Sequence, residues 1–281
     1  MISRHGRDVI VKSKTKENSK SKLNSFLKRV VTSLVLIPVV IACVIFGYPT
    51  LYLLALLGAA LLSWEWANMV PNTRPVFYAL CYFFVATVAV LMNPIIVPAF
   101  VMIVAFTIAF CKSKGEDNRK LLLLGVPYIA CGIGSIVSIY SAYGPYIVLW
   151  FMFVVWGVDI GGYFVGSTVK GPKLAPKISP NKTWSGLIGG VLLSVAISYG
   201  VMLLFKVNSQ VSIYYLVMAG IIAVIAQVGD LIESYIKRRL EIKDSSNLIP
   251  GHGGIFDRID GLIFAAPFAY LMLSNLAKIV K

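Results

Sequence analysis

A series of long apolar runs most limits what this chain can fold into. They fall at residues 30–47, 50–70, 76–92, 94–111, 121–141, 145–166, 184–205, 211–233 and 261–278. Each is close to the ~20 residues that an α-helix needs to cross a bilayer core. The runs are continuously apolar rather than alternating, which argues against strands. Of the 281 residues, 58% are hydrophobic and 14% are charged; soluble domains are nearer a quarter charged. Little chain remains for a soluble domain. The expected fold is therefore all-α, a polytopic transmembrane helical bundle of about nine spans. A basic tail, 1–29, precedes a single membrane domain, 30–281.

The basic residues set an expected orientation. With the N-terminus in the cytoplasm, the tail and every second loop lie inside. All of the 26 Lys and Arg residues except Lys206, Lys278 and Lys281 then fall on that side. Such an asymmetry follows the positive-inside rule. The net charge of +14 therefore reads as topology and contact with anionic lipid, with no nucleic-acid partner expected. The compact length and basic tail fit a bacterial inner membrane, and a homodimer is compatible with the same features. Residues 1–25 lack apolar periodicity and are expected to be disordered or to rest on the membrane surface.

Cys43, Cys81, Cys111 and Cys131 lie scattered in apolar runs without metal-ligand or disulfide spacing, and read as small buried hydrophobes. With only His5 and His252, a His-rich metal site is excluded. The first five runs, 30–141, carry almost no ionisable residues and read as scaffold. From Trp156 onward Gly, Pro, Asp and Lys accumulate at the inside ends of the runs, so 145–281 is expected to carry the chemistry.

Charge deep in a span costs about 2.5–3.5 kcal/mol on insertion scales, so each such residue needs a reason. Glu65, in "SWEWANM", is flanked by Trp64 and Trp66, which resemble an interfacial belt. It reads as a carboxylate that reaches headgroup water or pairs with a basic neighbour. Asp159 sits among the small-residue pairs Gly157/Gly161 and Gly162/Gly166, spacings that let helices approach closely. It either hydrogen-bonds across such a contact or lines a cavity. Asp230, Glu233 and Ser234 share one helix face, and Lys237 follows Glu233 at the favourable i+4 spacing for an ion pair.

Two polar stretches complete the inside face. "KLAPKISPNKTWSG", 173–186, is kept extended or turned by its prolines, and Ser179 or Thr183 is placed to cap the next helix. "KDSSNLIPGHGGIFDRIDG", 243–261, cannot be regular helix through its Pro and Gly residues. Asp257 and Asp260 then share a face early in the last helix. Carboxylates there either cap the helix or hold Mg²⁺ by oxygen, which usually brings phosphates with it. Glycine amides and basic side chains bind the other phosphate oxygens. Both signs of charge with glycines at a membrane boundary point to a phosphate-handling site.

"SYIKRRLEIKDSSNLIPGHGGIFDRIDG", 234–261, resembles the signature of the phosphatidate cytidylyltransferase, or CDP-diacylglycerol synthase, family. The match runs through Ser, Lys-Arg, Lys-Asp, Pro-x-His-Gly-Gly and Asp-Arg-x-Asp. "GDLIES", "DIGGYFVG" and "KLAPKISPNKTWSG" resemble the family's other polar segments, so the similarity covers about 150–261; upstream only "WEW" matches. The resemblance implies that CTP and phosphatidate give CDP-diacylglycerol and pyrophosphate with Mg²⁺, and a second, monovalent cation is compatible with it. Asp230 and Asp257 would be the metal-binding carboxylates, with Asp260 beside them and Lys237 completing the catalytic set. Lys182, Arg238 and Arg258 would hold phosphates. Lys243, Asp244, His252, Gly253 and Gly254 fall within the matched signature and Ser179 within the upstream loop; with Asp159 they complete the expected substrate-binding set. Two other functions use similar residues. A CTP-dependent polyprenol or lipid kinase would attack the γ-phosphate, and an ion-coupled transporter would use intramembrane Asp and Gly-broken spans.

Overall fold

A computed structural model describes residues 32, 34–72, 74–92, 97–110, 115–206, 209–248 and 253–279. His252 and the 1–29 tail lie outside the described residues. The chain runs α1 (Leu34–Phe46), α2 (Thr50–Met69), α3 (Pro75–Leu91), α4 (Val97–Phe110), α5 (Glu116–Tyr143), α6 (Pro145–Thr168), β1 (Lys173–Ala175), β2 (Ser179–Thr183), α7 (Trp184–Leu204), α8 (Ser209–Arg239) and α9 (Phe256–Ile279). Among the described residues each apolar run coincides with a helix. Six helices are long and apolar enough to cross a membrane: α2, α5, α6, α7, α8 and α9. This is the pattern of an integral membrane protein. The other three are shorter. α3 has 17 residues and α4 has 14, so at about 1.5 Å per residue they reach roughly 20–25 Å against a core of ~30 Å.

Helix ends depart from the apolar runs where polar residues continue the helical turn. α8 extends past its run to Arg239, and α9 begins at Phe256, ahead of Gly261. Those added turns carry the charged residues. The expectation of no strands fails at one place. β1 and β2 form a two-stranded antiparallel ribbon, with a bulge between Lys173 and Ala175. Pro176 is outside the pairing and Pro180 lies in a two-stranded ribbon with free edges, where a missing N–H is tolerated.

The glycine spacings in α6 bring it against α7 as expected. A Cβ on Gly161 would lie 2.7 Å from the Gly189 carbonyl oxygen, and one on Gly186 would lie 2.8 Å from the Gly162 carbonyl oxygen. Ser194 donates to the Val154 carbonyl across the same contact at 2.7 Å, and Trp150 Nε1 donates to Ser198 Oγ at 2.9 Å. Close backbone approach with buried hydroxyls as glue is how apolar helices associate where lipid is as apolar as the side chains.

Two apolar cores flank α9. One gathers α2, α3, α5 and the start of α9, including Leu62, Trp66, Tyr82, Ile129 and Phe256. The other gathers α6, α8 and the rest of α9, including Trp150, Phe151, Ile222 and Ala265. Trp66 is in the first core, fully buried, rather than in an interfacial belt; Trp64 is 47% exposed. The difference follows from helical spacing, which turns Trp64 and Trp66 about 200° apart. Cys43 and Cys81 are half-buried and Cys131 is exposed, because an apolar thiol on a lipid-facing surface needs no protein cover; Cys111 lies outside the described residues.

A Cβ on Gly190 would meet the Val158 carbonyl oxygen at 2.6 Å, whereas one on Gly200 meets nothing within 4 Å. Overpacking of this kind costs about 1–3 kcal/mol. Gly190→Ala should therefore lower the thermal midpoint in detergent, while Gly200→Ala should leave it unchanged or slightly raised, as measured by thermal unfolding of the purified variants.

Candidate active site

The last turns of α8, the first turns of α9 and the β1–β2 ribbon meet in one polar cluster. α8 supplies Asp230, Glu233 and Lys237 from successive turns of one face. α9 supplies Asp257 and Asp260. Ligand oxygens of Asp230, Glu233 and Asp260 all lie within 4.8 Å of one another. Glu233 is 2% exposed, and its Oε1 has no hydrogen-bond partner among the described residues. Its Oε2 receives the Lys237 ammonium at 2.7 Å, and the same ammonium donates to Asp257 Oδ1 at 2.7 Å. The ion pair expected between Glu233 and Lys237 is thus present, and it extends to α9.

Asp257 has a different set of partners from Asp260. Besides Lys237, it accepts from the Gly254 amide at 2.8 Å, from the Ser245 amide at 3.0 Å and from Ser245 Oγ at 3.1 Å. It joins Ser245 and Gly254 to the start of α9. Asp230 and Asp257 are the carboxylates expected to bind metal; among the described residues the group of three with cation spacing holds Asp230 but not Asp257. That set is Asp230, Glu233 and Asp260. The i, i+3 relation of Asp257 and Asp260 puts them on one side of α9, but Asp257 stands in the first turn, where free backbone N–H groups and Lys237 claim it.

Lys182, in β2, ion-pairs with Asp230. The ribbon sets this contact. Its last residue, Thr183, caps α7 by accepting from the Gly186 amide at 3.1 Å, so Lys182 is held one residue ahead of a fixed helix start. Ser179 opens β2 and does not cap the helix. Arg238 donates to the Ile178 carbonyl at 3.3 Å and to the Ile242 carbonyl at 3.3 Å, tying the ribbon to α8. Asp159 is exposed on α6, within electrostatic reach of Asp230, Lys182 and Arg258; Asp260 is likewise within reach of Asp230, Asp159 and Lys182. Lys243, Asp244 and Arg258 are exposed. A Cβ on Gly253, which has φ +84°, would lie 2.7 Å from Asp257 Oδ2, so both the backbone shape and the space favour glycine. The Gly254 amide, expected to face phosphate, is given to Asp257.

Three residues come forward that the sequence reading did not place in the site. Glu233 carries the same i, i+3 signal as the face it shares with Asp230. Gln227 lies one turn before Asp230, is 8% exposed and has an Nε2 without a partner among the described residues; a polar amide within an apolar run was the available signal. Glu65 is 1% exposed and accepts from Ser246 Oγ at 2.6 Å and from the Phe256 amide at 2.7 Å. It is buried rather than open to headgroup water, and among the described residues it pairs with no cation; nothing local in α2 announces its partners.

A family model for the cytidylyltransferase family matches residues 27–276. The chain belongs to the cytidylyltransferase family. It is 32% identical over 280 residues to a phosphatidate cytidylyltransferase of Rickettsia conorii, covering 97% of this chain and 98% of that one. It is 34% identical over 181 residues to one of Bacillus subtilis, covering 63% and 66%. It is 48% identical over 118 residues to one of Brucella suis, covering 42% and 43%. In this cytidylyltransferase-family member, carboxylates, ammonium groups and a ribbon lysine converge at one end of membrane-crossing helices. Such a set can grip polyanions beside lipid.

Lys237 joins two carboxylates that are 1% and 6% exposed at their side chains. Removing one partner of a buried ion pair costs about 3–5 kcal/mol, because the other charge is left uncompensated. Lys237→Met should therefore lower the thermal midpoint sharply, and adding Glu233→Gln to it should recover part of the loss. A double-mutant cycle of unfolding midpoints measures the coupling.

Proposed function

We propose that this chain is a phosphatidate cytidylyltransferase, a nucleotidyltransferase that joins CTP and phosphatidate to give CDP-diacylglycerol and pyrophosphate for phospholipid synthesis. The observation that carries the reading is the Asp230, Glu233 and Asp260 cluster beside Lys182 and Lys237, set at one end of apolar helices in a chain of this family. A phosphate oxygen of phosphatidate attacks the α-phosphorus of CTP. The bond from that phosphorus to the α–β bridging oxygen breaks, and pyrophosphate leaves with the electron pair. The nucleophile is already anionic, so no strong base is required.

Two polyanions must meet, and charge must be stabilised on the α-phosphate and on the leaving group. Lys182 is placed by the ribbon to turn from Asp230 to a phosphate. Lys237, fixed between Glu233 and Asp257, supplies a positive charge that cannot wander. Arg258 and Lys243, exposed beside the cluster, suit the outer phosphates of CTP. Asp159 and Gln227 line the approach from the membrane side, where the lipid headgroup enters.

The donor set fits Mg²⁺. Oxygen ligands at about 2.0–2.1 Å from the ion stand at most ~4.2 Å apart, and this cluster needs only a small contraction from 4.8 Å. The donor-free, buried Glu233 Oε1 is an oxygen suited to a cation. Asp230, Glu233 and Asp260 would hold the ion, and it would supply charge stabilisation for the phosphates. The reading places the N-terminus and the site in the cytoplasm of a bacterium, at the inner membrane, with the three shorter helices completing nine spans. The distribution of Lys and Arg supports that orientation.

The test uses protein in detergent with phosphatidate, Mg²⁺ and CTP labelled at the α- or the γ-phosphate. The expected products are α-label in lipid and γ-label in pyrophosphate. γ-Label in lipid with release of CDP would make the protein a lipid kinase instead. Glu233→Gln and Asp260→Asn should each lower turnover by about 10²-fold or more, the scale of losing one preorganised electrostatic contact.

A further inference from the structure

The carboxylate of Glu65 lies in α2, outside the stretch that carries the cluster, yet both of its oxygens are bound to it. Oε1 accepts from Ser246 Oγ at 2.6 Å and from the Ile255 amide at 2.9 Å. Oε2 accepts from the Phe256 amide at 2.7 Å and lies 3.3 Å from Ser245 Oγ. Asp257 takes the neighbouring Gly254 amide. Between them, Glu65 and Asp257 therefore hold three consecutive backbone N–H groups at the start of α9, together with Ser245 and Ser246. Such amides have no partner within their own helix, and an anion is the acceptor the helix dipole favours.

The fit is tight. A Cβ on Gly254 would lie 2.7 Å from Glu65 Oε1 and would collide with Ser245 Oγ. Around it, Trp66 stacks on Tyr128 with centroids 5.4 Å apart and meets Phe256 edge-on at 5.3 Å. Tyr128 in turn donates to the Asp260 backbone carbonyl at 3.2 Å. A carboxylate this enclosed does not touch substrate. Its effect passes through the backbone it holds. Phe256 precedes Asp257, which fixes Lys237, which fixes Glu233; Asp260 follows one turn later.

We propose that Glu65 is a positioning residue for the transfer site. It sets the register of Ser245, Ser246 and the first turn of α9 against α8, so that Asp257 meets Lys237 and Asp260 meets Asp230 and Glu233. The N-terminal spans then shape catalysis and do not serve only as scaffold. The inference rests on the cytidylyl-transfer reading for its kinetic readout. Wild-type protein that makes no CDP-diacylglycerol would sink that reading; active wild type with unaltered variants would sink this one alone.

The experiment compares the wild type with Glu65→Gln, Glu65→Asp and Ser246→Ala in detergent with phosphatidate. It measures the thermal midpoint, kcat, the KM for CTP, the Mg²⁺ concentration giving half-maximal rate, and protease cleavage within 244–252. In folded Glu65→Gln, kcat/KM for CTP should fall about tenfold or more, because a displacement near 1 Å is enough for losses of that order. The Mg²⁺ half-maximum should rise, and cleavage of the loop should quicken. Glu65→Asp, which keeps the charge, should recover part of the loss. A residue needed only for stability would reduce the amount of active enzyme and leave KM and the Mg²⁺ half-maximum at wild-type values; that result overturns the proposal. Should Glu65→Gln not fold, Ser246→Ala, which removes the 2.6 Å bond to Glu65 and the 3.2 Å bond that Ser246 Oγ accepts from the Leu248 amide, decides the matter. A rise of about threefold in either constant supports positioning, and unchanged constants overturn it.

Discussion

One ammonium between two buried carboxylates organises the polar end of this bundle. Lys237 reaches Glu233 on its own helix and Asp257 on the next. Both acid side chains are nearly closed to solvent, so removing the ammonium would leave two buried carboxylates without their shared donor. The contact fixes the rotation of α9 about its axis relative to α8. With that rotation set, Asp260 comes to the same level as Asp230 and Glu233, and the apolar faces of α9 divide between the two cores. The chemistry and the packing are therefore two results of a single docking geometry.

The ribbon plays a matching part on the other side. It is short, but its last residues do two things at once: Lys182 pairs with Asp230 and Thr183 starts α7. α7 is held against α6 by glycines with almost no slack. The position of Lys182 is thus referred to a helix pair whose backbones are in close contact. Flexible side chains are tied to rigid backbone, which is how a site keeps its geometry while its ligands change.

Much of this was legible in the sequence, and the unread parts share a cause. The apolar runs located the helices, because crossing lipid demands continuous hydrophobicity. Gly157, Gly161, Gly162 and Gly166 announced the α6–α7 contact, because their spacing alone defines a flat helix face. The Glu233–Lys237 pair was readable as an i, i+4 relation. What escaped was every feature decided by residues distant along the chain. Asp257 was read as a metal-binding carboxylate, and spacing could not show that Lys237, 20 residues earlier, pairs with it. Trp66 was read as interfacial from its neighbours, although Tyr128 and Phe256 bury it. The ribbon was missed since its strands are very short and β2 carries Pro180. Glu65 looked like a stray surface acid, and its donors lie some 180 residues or more away.

That distance has a consequence for how each copy is made. Ile255 is synthesised 190 residues after Glu65, a delay of roughly 10–40 s at ordinary rates of translation. Through that interval α2 exists without the serines and amides that answer its acid, so the side chain must stay turned toward water or headgroups. Burial of Glu65 and arrival of the last helix are then one event. A copy stopped short of α9 lacks a site and also keeps an unanswered acid in its second helix.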